Sequence, residues 1–460
     1  MTKKSPLSIP NIRLFIMFRV FFNSRFYYPV FTILFLDFGL TMSQFALLNA
    51  AWAASIVFAE VPSGALADII GRRKLLVATG LLMVAEMLII CFAPRSNPTI
   101  LFIAFLANRI LSGMAEAAAS GADEALAYDS LKRYGNTDDW GSVIEMQMRW
   151  KSIAFIVAMS VGAAVYDPAL MQGLSNRLGF DLVITQAVTL RIPLFMTLVM
   201  AVLTLATTLS MKEVHESETG THTPGADKGE SVTSPPASSA KQAFAMTLKA
   251  GRWILSTPAA LVLIFAGLTF DGISRMVITL SSQYYRLVNI PEALFGLIGA
   301  AMALLGLVVP RLAYRMSERF SPGFNFIVVA ILSLAGLWGM SVFMPIWGLL
   351  PALVLFSTMY LTGFFISDYL NKMTSSDQRA TVLSFKGLSF NLFYGIVGIL
   401  YSVLLAHTRT SVTGADGMLT EQATENIVFI KSFTWFPWSL IIMIVVVVVF
   451  SKVYPTRQER

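Results

Sequence analysis

Runs of about 20 apolar residues recur along the whole of this chain, and no other feature restricts its fold as strongly. Such a run crosses a ~30 Å hydrocarbon layer as a helix, because the backbone N–H and C=O groups inside the layer must be satisfied within the segment. The expected spans are 12–37, 43–65, 74–93, 99–126, 142–166, 189–211, 257–285, 293–313, 324–343, 347–370, 380–406 and 428–451. Hydrophobic residues make up 56% of the 460 positions, and they are gathered into these runs, which argues against a soluble enzyme. The expected fold class is an all-α polytopic membrane protein with 12 transmembrane helices.

Charge sets the orientation. An even number of spans places both termini on one side. Of the 34 Lys and Arg, 24 fall on the termini and the even-numbered loops, six on the opposite loops and four inside spans. That asymmetry puts the termini in the cytoplasm. The net charge of +7 is spread over these short loops, so the expected partner is a lipid bilayer and not nucleic acid. Met1 to Pro10 is polar and basic, with no small-residue cleavage site behind the first apolar run, which therefore reads as a retained helix. The single cysteine, Cys91, lies inside a span, and His215, His222 and His407 lie in the linker or at a span end. No metal, cofactor or histidine relay is expected.

The longest polar break, Lys212 to Lys249, is rich in turn-forming residues and too polar to bury a core. It divides the chain into expected domains: a six-helix bundle over 1–211, a cytoplasmic linker over 212–256, and a second six-helix bundle over 257–460. Within the linker, 241–255 reads as a basic surface helix. The halves match each other at an offset of 250. Ser24-Arg25 meets Ser274-Arg275, Phe45 meets Phe295, Leu47 meets Leu297, and Ala50, Ala51 and Ala53 meet Ala300, Ala301 and Ala303. The Ser-Arg pair is the informative one, because arginine inside a span is rare. Two parallel repeats with a site between them near the midplane is a plan of secondary transporters.

Between spans two and three stands Gly64-Ala-Leu-Ala-Asp68-Ile-Ile-Gly71-Arg72-Arg73-Lys74, where glycines at both ends are expected to turn the chain sharply. This stretch resembles the G-x-L-x-D-R-x-G-R-K loop of the major facilitator superfamily (MFS), with Ile69 in place of the usual basic residue. The resemblance implies two pseudo-symmetric six-helix bundles. It also implies that Asp68 and Arg72 belong to a charge cluster latching the cytoplasmic side, with Gly64, Gly71 and Arg73 shaping it. A plain basic turn is the alternative. Glu60-Val-Pro62-Ser63-Gly64 and Ser120-Gly-Ala-Asp123-Glu124-Ala-Leu-Ala-Tyr128-Asp129-Ser130-Leu131 resemble a group of bacterial MFS permeases, mostly assigned as drug exporters. Glu60, Asp68, Asp123 and Glu124 are then either gate partners of Arg72 and Arg149 or solvated interfacial carboxylates. Thr374 to Ser384 resembles the corresponding turn of the second half.

Span four holds Arg109-Ile-Leu-Ser-Gly113-Met-Ala-Glu116, similar to the family's R-x-x-x-G motif. Arg109 and Glu116 are seven apart and share a helical face. A carboxylate beside an arginine, reachable by water from alternate sides, is a proton-coupling group; a structural Arg–Glu pair is the other reading. Glu86 and Asp368 are lone carboxylates that either titrate or pair. Arg25 and Arg275, at matching repeat positions, are candidates for a cavity fork that would hold a phosphate or carboxylate, with Asn23 and Tyr28 as polar company. Asp271, one turn before Arg275, is a competing partner and a further coupling candidate.

Span five carries only Gly162 where proton-coupled drug exporters of this superfamily usually have a glycine- and proline-rich motif, and no GxxxxGK[ST] phosphate loop is present. The leading expectation is a monomeric secondary transporter of the bacterial inner membrane. It would work by alternating access, exporting small amphiphilic organic solutes against protons, with Glu116 titrating. An organic-anion or phosphate-ester carrier using Arg25 and Arg275 is the alternative, and a transporter-like sensor or scaffold a third reading.

Overall fold

A computed structural model describes residues 5–180, 182–214, 251–374, 376–415 and 419–453, with the backbone alone described at 65, 68, 376–381 and 415. The regular secondary structure of the described residues is helical throughout. The first half holds α1 (Pro10–Asn23), α2 (Phe31–Phe38), α3 (Met42–Ile70), α4 (Arg72–Cys91), α5 (Pro98–Ala119), α6 (Ala122–Tyr134), α7 (Trp140–Tyr166), α8 (Pro168–Arg177), α9 (Gln186–Thr189) and α10 (Ile192–Ser210). The second holds α11 (Pro258–Thr279), α12 (Ser281–Leu287), α13 (Phe295–Arg319), α14 (Pro322–Ser341), α15 (Leu349–Met373), α16 (Ser376–Ala415), α17 (Glu421–Phe433) and α18 (Trp435–Val453).

Eleven of the twelve crossings are long and apolar enough to span by themselves. The remaining one, the first, is broken. The sequence predicts one helix over 12–37, but α1 has 14 residues and α2 has eight, with a break between Asn23 and Phe31. Pro29 has no N–H to give an α-helical ladder there. In its place Asn23 and Ser24 bond back to the Arg19 and Val20 carbonyls, and a short 3₁₀ turn runs over Tyr28–Val30. The seventh crossing is broken at the equivalent point, where α11 ends at Thr279 and α12 begins at Ser281, 250 residues after the start of α2. Gly39 closes α2 with φ +113°, and Asn289, again 250 later, takes φ +60° past the end of α12. The repeat therefore reaches down to backbone conformation, and the twelve crossings form two pseudo-symmetric six-helix bundles.

The bundles meet along two equivalent seams, α3 on α16 and α13 on α7. Position 46 and its repeat mate 296 each set the closest approach. A Cβ at Gly398 would stand 3.3 Å from the Ala46 carbonyl oxygen, and a Cβ at Gly296 would fall on the Met159 carbonyl. Small residues allow such approaches where helices pack without solvent between them. The twofold axis passes beside Thr32 and Ser282, which are themselves 250 apart: Thr32 donates its backbone N–H to Ser282 Oγ at 2.9 Å and its hydroxyl to the Thr279 carbonyl at 2.6 Å.

These contacts are not spread evenly along the bundles. On the α3–α16 seam they run from Ser43–Ser402 (3.0 Å) through Ala46–Gly398 and Ala53–Gly395 to the Trp52–Tyr394 ring pair. One turn further on, Ile56 and Asn391 line open space. Among the described residues the halves thus form a V, closed at the face away from the start of α1 and the end of α18 and splayed at the face that bears them.

The stretch 64–74 differs from expectation. Gly64 lies inside α3, which continues to Ile70, and nothing stands within 4 Å of where its Cβ would be. Ala65, Leu66 and Ala67 are good helix formers, so the helix runs on. The whole turn is made by one residue, Gly71, at φ +94°, and α4 begins directly at Arg72. The polar segment expected to be a linker lies outside the described residues over 215–250; of its expected surface helix, 251–255 are described and are helical.

Candidate functional site

Between the bundles lies a cavity of about 800 Å³. Its walls are mostly aromatic and aliphatic, among them Tyr28, Phe31, Trp52, Phe155, Tyr360 and Tyr394. Such a lining with few polar groups is what drug-sized organic ligands occupy. Ser281, Ser282 and Tyr285 bound it towards the closed face, and Phe364 and Ser367 towards the splayed one. A second chamber of about 470 Å³ adjoins it at Trp52, which lines both. Its polar walls carry Arg19, Glu60, Glu116, Glu124 and Asn391.

Each intramembrane charge has a definite place. Arg25 does not reach the large cavity. It is buried against Glu86 of α4, which is fully buried and makes an ion pair with it, while the Phe22 ring sits 5.5 Å from the guanidinium. This is the partner that the helix carrying Arg25 does not supply. Arg275 does line the cavity, but it holds Asp271 at 2.7 Å and Asn391 Oδ1 at 3.1 Å, and lies over Tyr394. The two arginines are accordingly not a free fork. Asn23 is occupied by the Arg19 carbonyl, and Tyr28 is exposed to the cavity.

Arg109 and Glu116 do not pair. Seven residues separate them by roughly 10 Å along the helix axis. The Arg109 guanidinium turns to Asn49 Oδ1 at 3.1 Å and sits between the Phe31 and Trp52 rings, 5.1 and 5.2 Å from their centroids. Glu116 faces the second chamber and, among the described residues, has neither an ion pair nor a hydrogen bond to its side chain. Glu60 Oε2 is likewise without a partner.

Arg72 and Arg73 of the charged motif are satisfied within the first bundle. Arg72 pairs with Asp129 of α6, and not with Glu60, Asp123 or Glu124. Asp123 and Glu124 are both held by Arg19 of α1, at 2.9 and 3.0 Å. Arg73 caps the end of α10 through the Met211 and Leu209 carbonyls at 2.6 and 2.9 Å. Arg149 has Glu145, one turn away, at 3.7 Å. Asp368 pairs with Lys372 at 2.9 Å. The side chain of Asp68, and most of those between Thr374 and Ser384, lie outside the described residues.

The closed face is held by groups that sequence reasoning missed. Asp37 of α2 accepts a two-pronged bond from Arg286 of α12, at 2.8 and 2.7 Å, and the Tyr166 hydroxyl donates to it at 2.5 Å. Glu292 joins Arg286, and Asp167 accepts from the Ala293 N–H at 3.1 Å, so the cluster ties α2 and α7 of one bundle to the other. A second tie comes from Glu425, which pairs with Arg409 and accepts from the Met42 N–H at 2.7 Å. These residues sit in loops or at helix ends with no shared motif. Asp37 and Arg286 are one position out of repeat register, Asp37 matching Leu287 and Arg286 matching Leu36, so the repeat gave no sign of them.

The family model described as Major Facilitator Superfamily matches residues 13–399. No curated protein sequence matches the chain. Among solved structures, a bacterial homolog of the human lysosomal transporter Spinster, inward-facing and unoccupied, is similar at TM-score 0.69 and 14% identity over 98% of each chain. The nucleoside transporter NupG is similar at TM-score 0.65 and 13% identity, over 97% of this chain and 99% of that one. A D-xylose-proton symporter is similar at TM-score 0.64 and 11% identity over 99% of each chain.

Proposed function

The chain belongs to the Major Facilitator Superfamily, and on that premise we propose that it exports a small amphiphilic organic solute by proton-coupled alternating access. It is a multi-pass membrane transporter rather than an enzyme. The finer reading places both termini on the cytoplasmic side of a bacterial inner membrane, on the strength of the Lys and Arg asymmetry. The V of the two bundles is then an inward-facing state. Residues 1–211 and 257–460 are the rocking bodies, the segment between them a cytoplasmic linker, and the protein acts as a monomer.

The observation that carries this reading is the large, aromatic, bundle-spanning cavity closed at one face and opening at the other. Glu116 is the proposed proton carrier: it is an unpaired carboxylate in a polar chamber beside the cavity, where water reaches it from the open face. The Gly64–Lys74 stretch, with Arg72 on Asp129, serves the cytoplasmic latch by fixing how α3, α4 and α6 move together. An anion carrier built on Arg25 and Arg275 is supported less well, because each of those arginines already faces a carboxylate.

Everted membrane vesicles carrying a pH gradient test the coupling. Addition of a transported amphiphile should dissipate the gradient in vesicles with the wild-type chain and leave it intact with Glu116→Gln, which should still perform solute counterflow. Equal dissipation by both would remove Glu116 from the role.

A further inference from the structure

We propose that the cavity selects solutes bearing an acidic head group (a carboxylate, sulfonate or phosphate ester) and that Arg109 receives it. This rests on the reading that the cavity carries the transported solute. Arg109 is 5% exposed, yet no carboxylate lies within ion-pair distance among the described residues. One of its five N–H donors bonds to Asn49, and its Nε has no partner. The four other arginines set along this path or its closed end, Arg19, Arg25, Arg275 and Arg286, each hold at least one carboxylate. A guanidinium taken from water without a counter-ion is costly, and none of the described residues brings a carboxylate within ion-pair distance of this one.

The rest of the cavity points the same way. Among the described residues its wall contains two arginines and neither Asp nor Glu. Asp271 offsets the charge of Arg275, which leaves that of Arg109 unbalanced. Lys386 adds a further cation beside the wall, donating to Ser367 Oγ at 2.8 Å, with no ion pair of its own among the described residues. The carboxylates Glu60, Glu116 and Glu124 all face the adjoining chamber instead. The Phe31 and Trp52 faces fix the plane of the guanidinium, and its free edge is suited to two parallel bonds to one anion. Tyr28, Phe155 and Phe364 offer apolar surface for the body of the same molecule.

The test uses the full chain in phosphatidylcholine nanodiscs, with no pH gradient. Binding of biphenyl carboxylate, biphenyl carboxamide and biphenyl methylammonium is read by quenching of the fluorescence of Trp52 and the other tryptophans. The carboxylate should bind at least about tenfold tighter than the amide, a difference of about 1.4 kcal/mol. Arg109→Gln should erase that preference, weakening carboxylate binding at least about tenfold more than amide binding, and Arg109→Lys should keep its sign at reduced size. Tightest binding of the ammonium, no binding of the carboxylate, or a preference that survives Arg109→Gln would each overturn the proposal. Phosphatidylglycerol in the discs separates two sources of the anion: competition identifies a lipid head group, and undiminished carboxylate binding identifies a free solute. Because no gradient is imposed, failure at Arg109 and failure of proton coupling at Glu116 are separate results.

Discussion

Arg25 and Arg109 illustrate how two arginines inside one bundle come to opposite ends. Arg25 stands where α1 breaks, opposite Glu86 on α4, and the pair is removed from solvent together. Its worth is largely the cost of separating it: loss of one partner leaves a buried charge, a penalty of about 3–5 kcal/mol, whereas a size-matched apolar pair can be neutral. Glu86→Gln or Arg25→Met alone should therefore lower the thermal stability of the detergent-solubilised protein sharply. The double variant Arg25→Met/Glu86→Leu should recover most of it. If both singles melt like the wild type, the pair is not structural. Arg109 has the same burial without the partner, which is why it and not Arg25 is left available for a ligand.

At the scale of elements, the two seams set which conformations the bundles can reach. α13 approaches α7 so closely at Gly296 that any side chain there meets the Met159 carbonyl. Gly296→Val should hold the two helices apart by roughly 1–2 Å or more, the scale of helix shifts at mobile interfaces. Spin labels placed across the closed face should report the longer distance, and an unchanged distance distribution would mean that the seam does not control closure. The broken helices α1–α2 and α11–α12 belong to the same logic. Their interruptions place Thr32 and Ser282 on the twofold axis and swing Asp37 and Arg286 into range of each other.

For the whole molecule, the cycle is a balance between faces. Among the described residues one ion pair joins the two bundles, Asp37–Arg286, and it lies at the closed face, whereas Arg72–Asp129 at the other face joins elements of one bundle. Removing Arg286 should accordingly favour the opposite state. The group is about a fifth exposed, so solvent screens part of its contribution. Arg286→Gln is expected to move the ratio of the two states by about tenfold, or ~1.4 kcal/mol. Distances measured across both faces in nanodiscs check this. Lengthening at the closed face with shortening at the other supports a rocking exchange, and lengthening at one face alone would argue for local fraying.

Sequence by itself determined the class of the fold, because a 20-residue apolar run in a bilayer has few choices but a helix. It also determined the repeat, through Ser24-Arg25 and Ser274-Arg275, since an arginine is too costly inside a span to recur there by chance. The gross place of the cavity followed from that symmetry. What periodicity along one helix cannot reveal is which charge meets which across helices. The tertiary structure alone brought Glu86 to Arg25 and Asp129 to Arg72, and Asp37 to Arg286 across the bundles. It also separated Arg109 from Glu116, which one helical face had suggested as a pair. The reason is reach. A side chain pairs with whatever lies within a few ångströms, and in a bundle most such neighbours come from other helices.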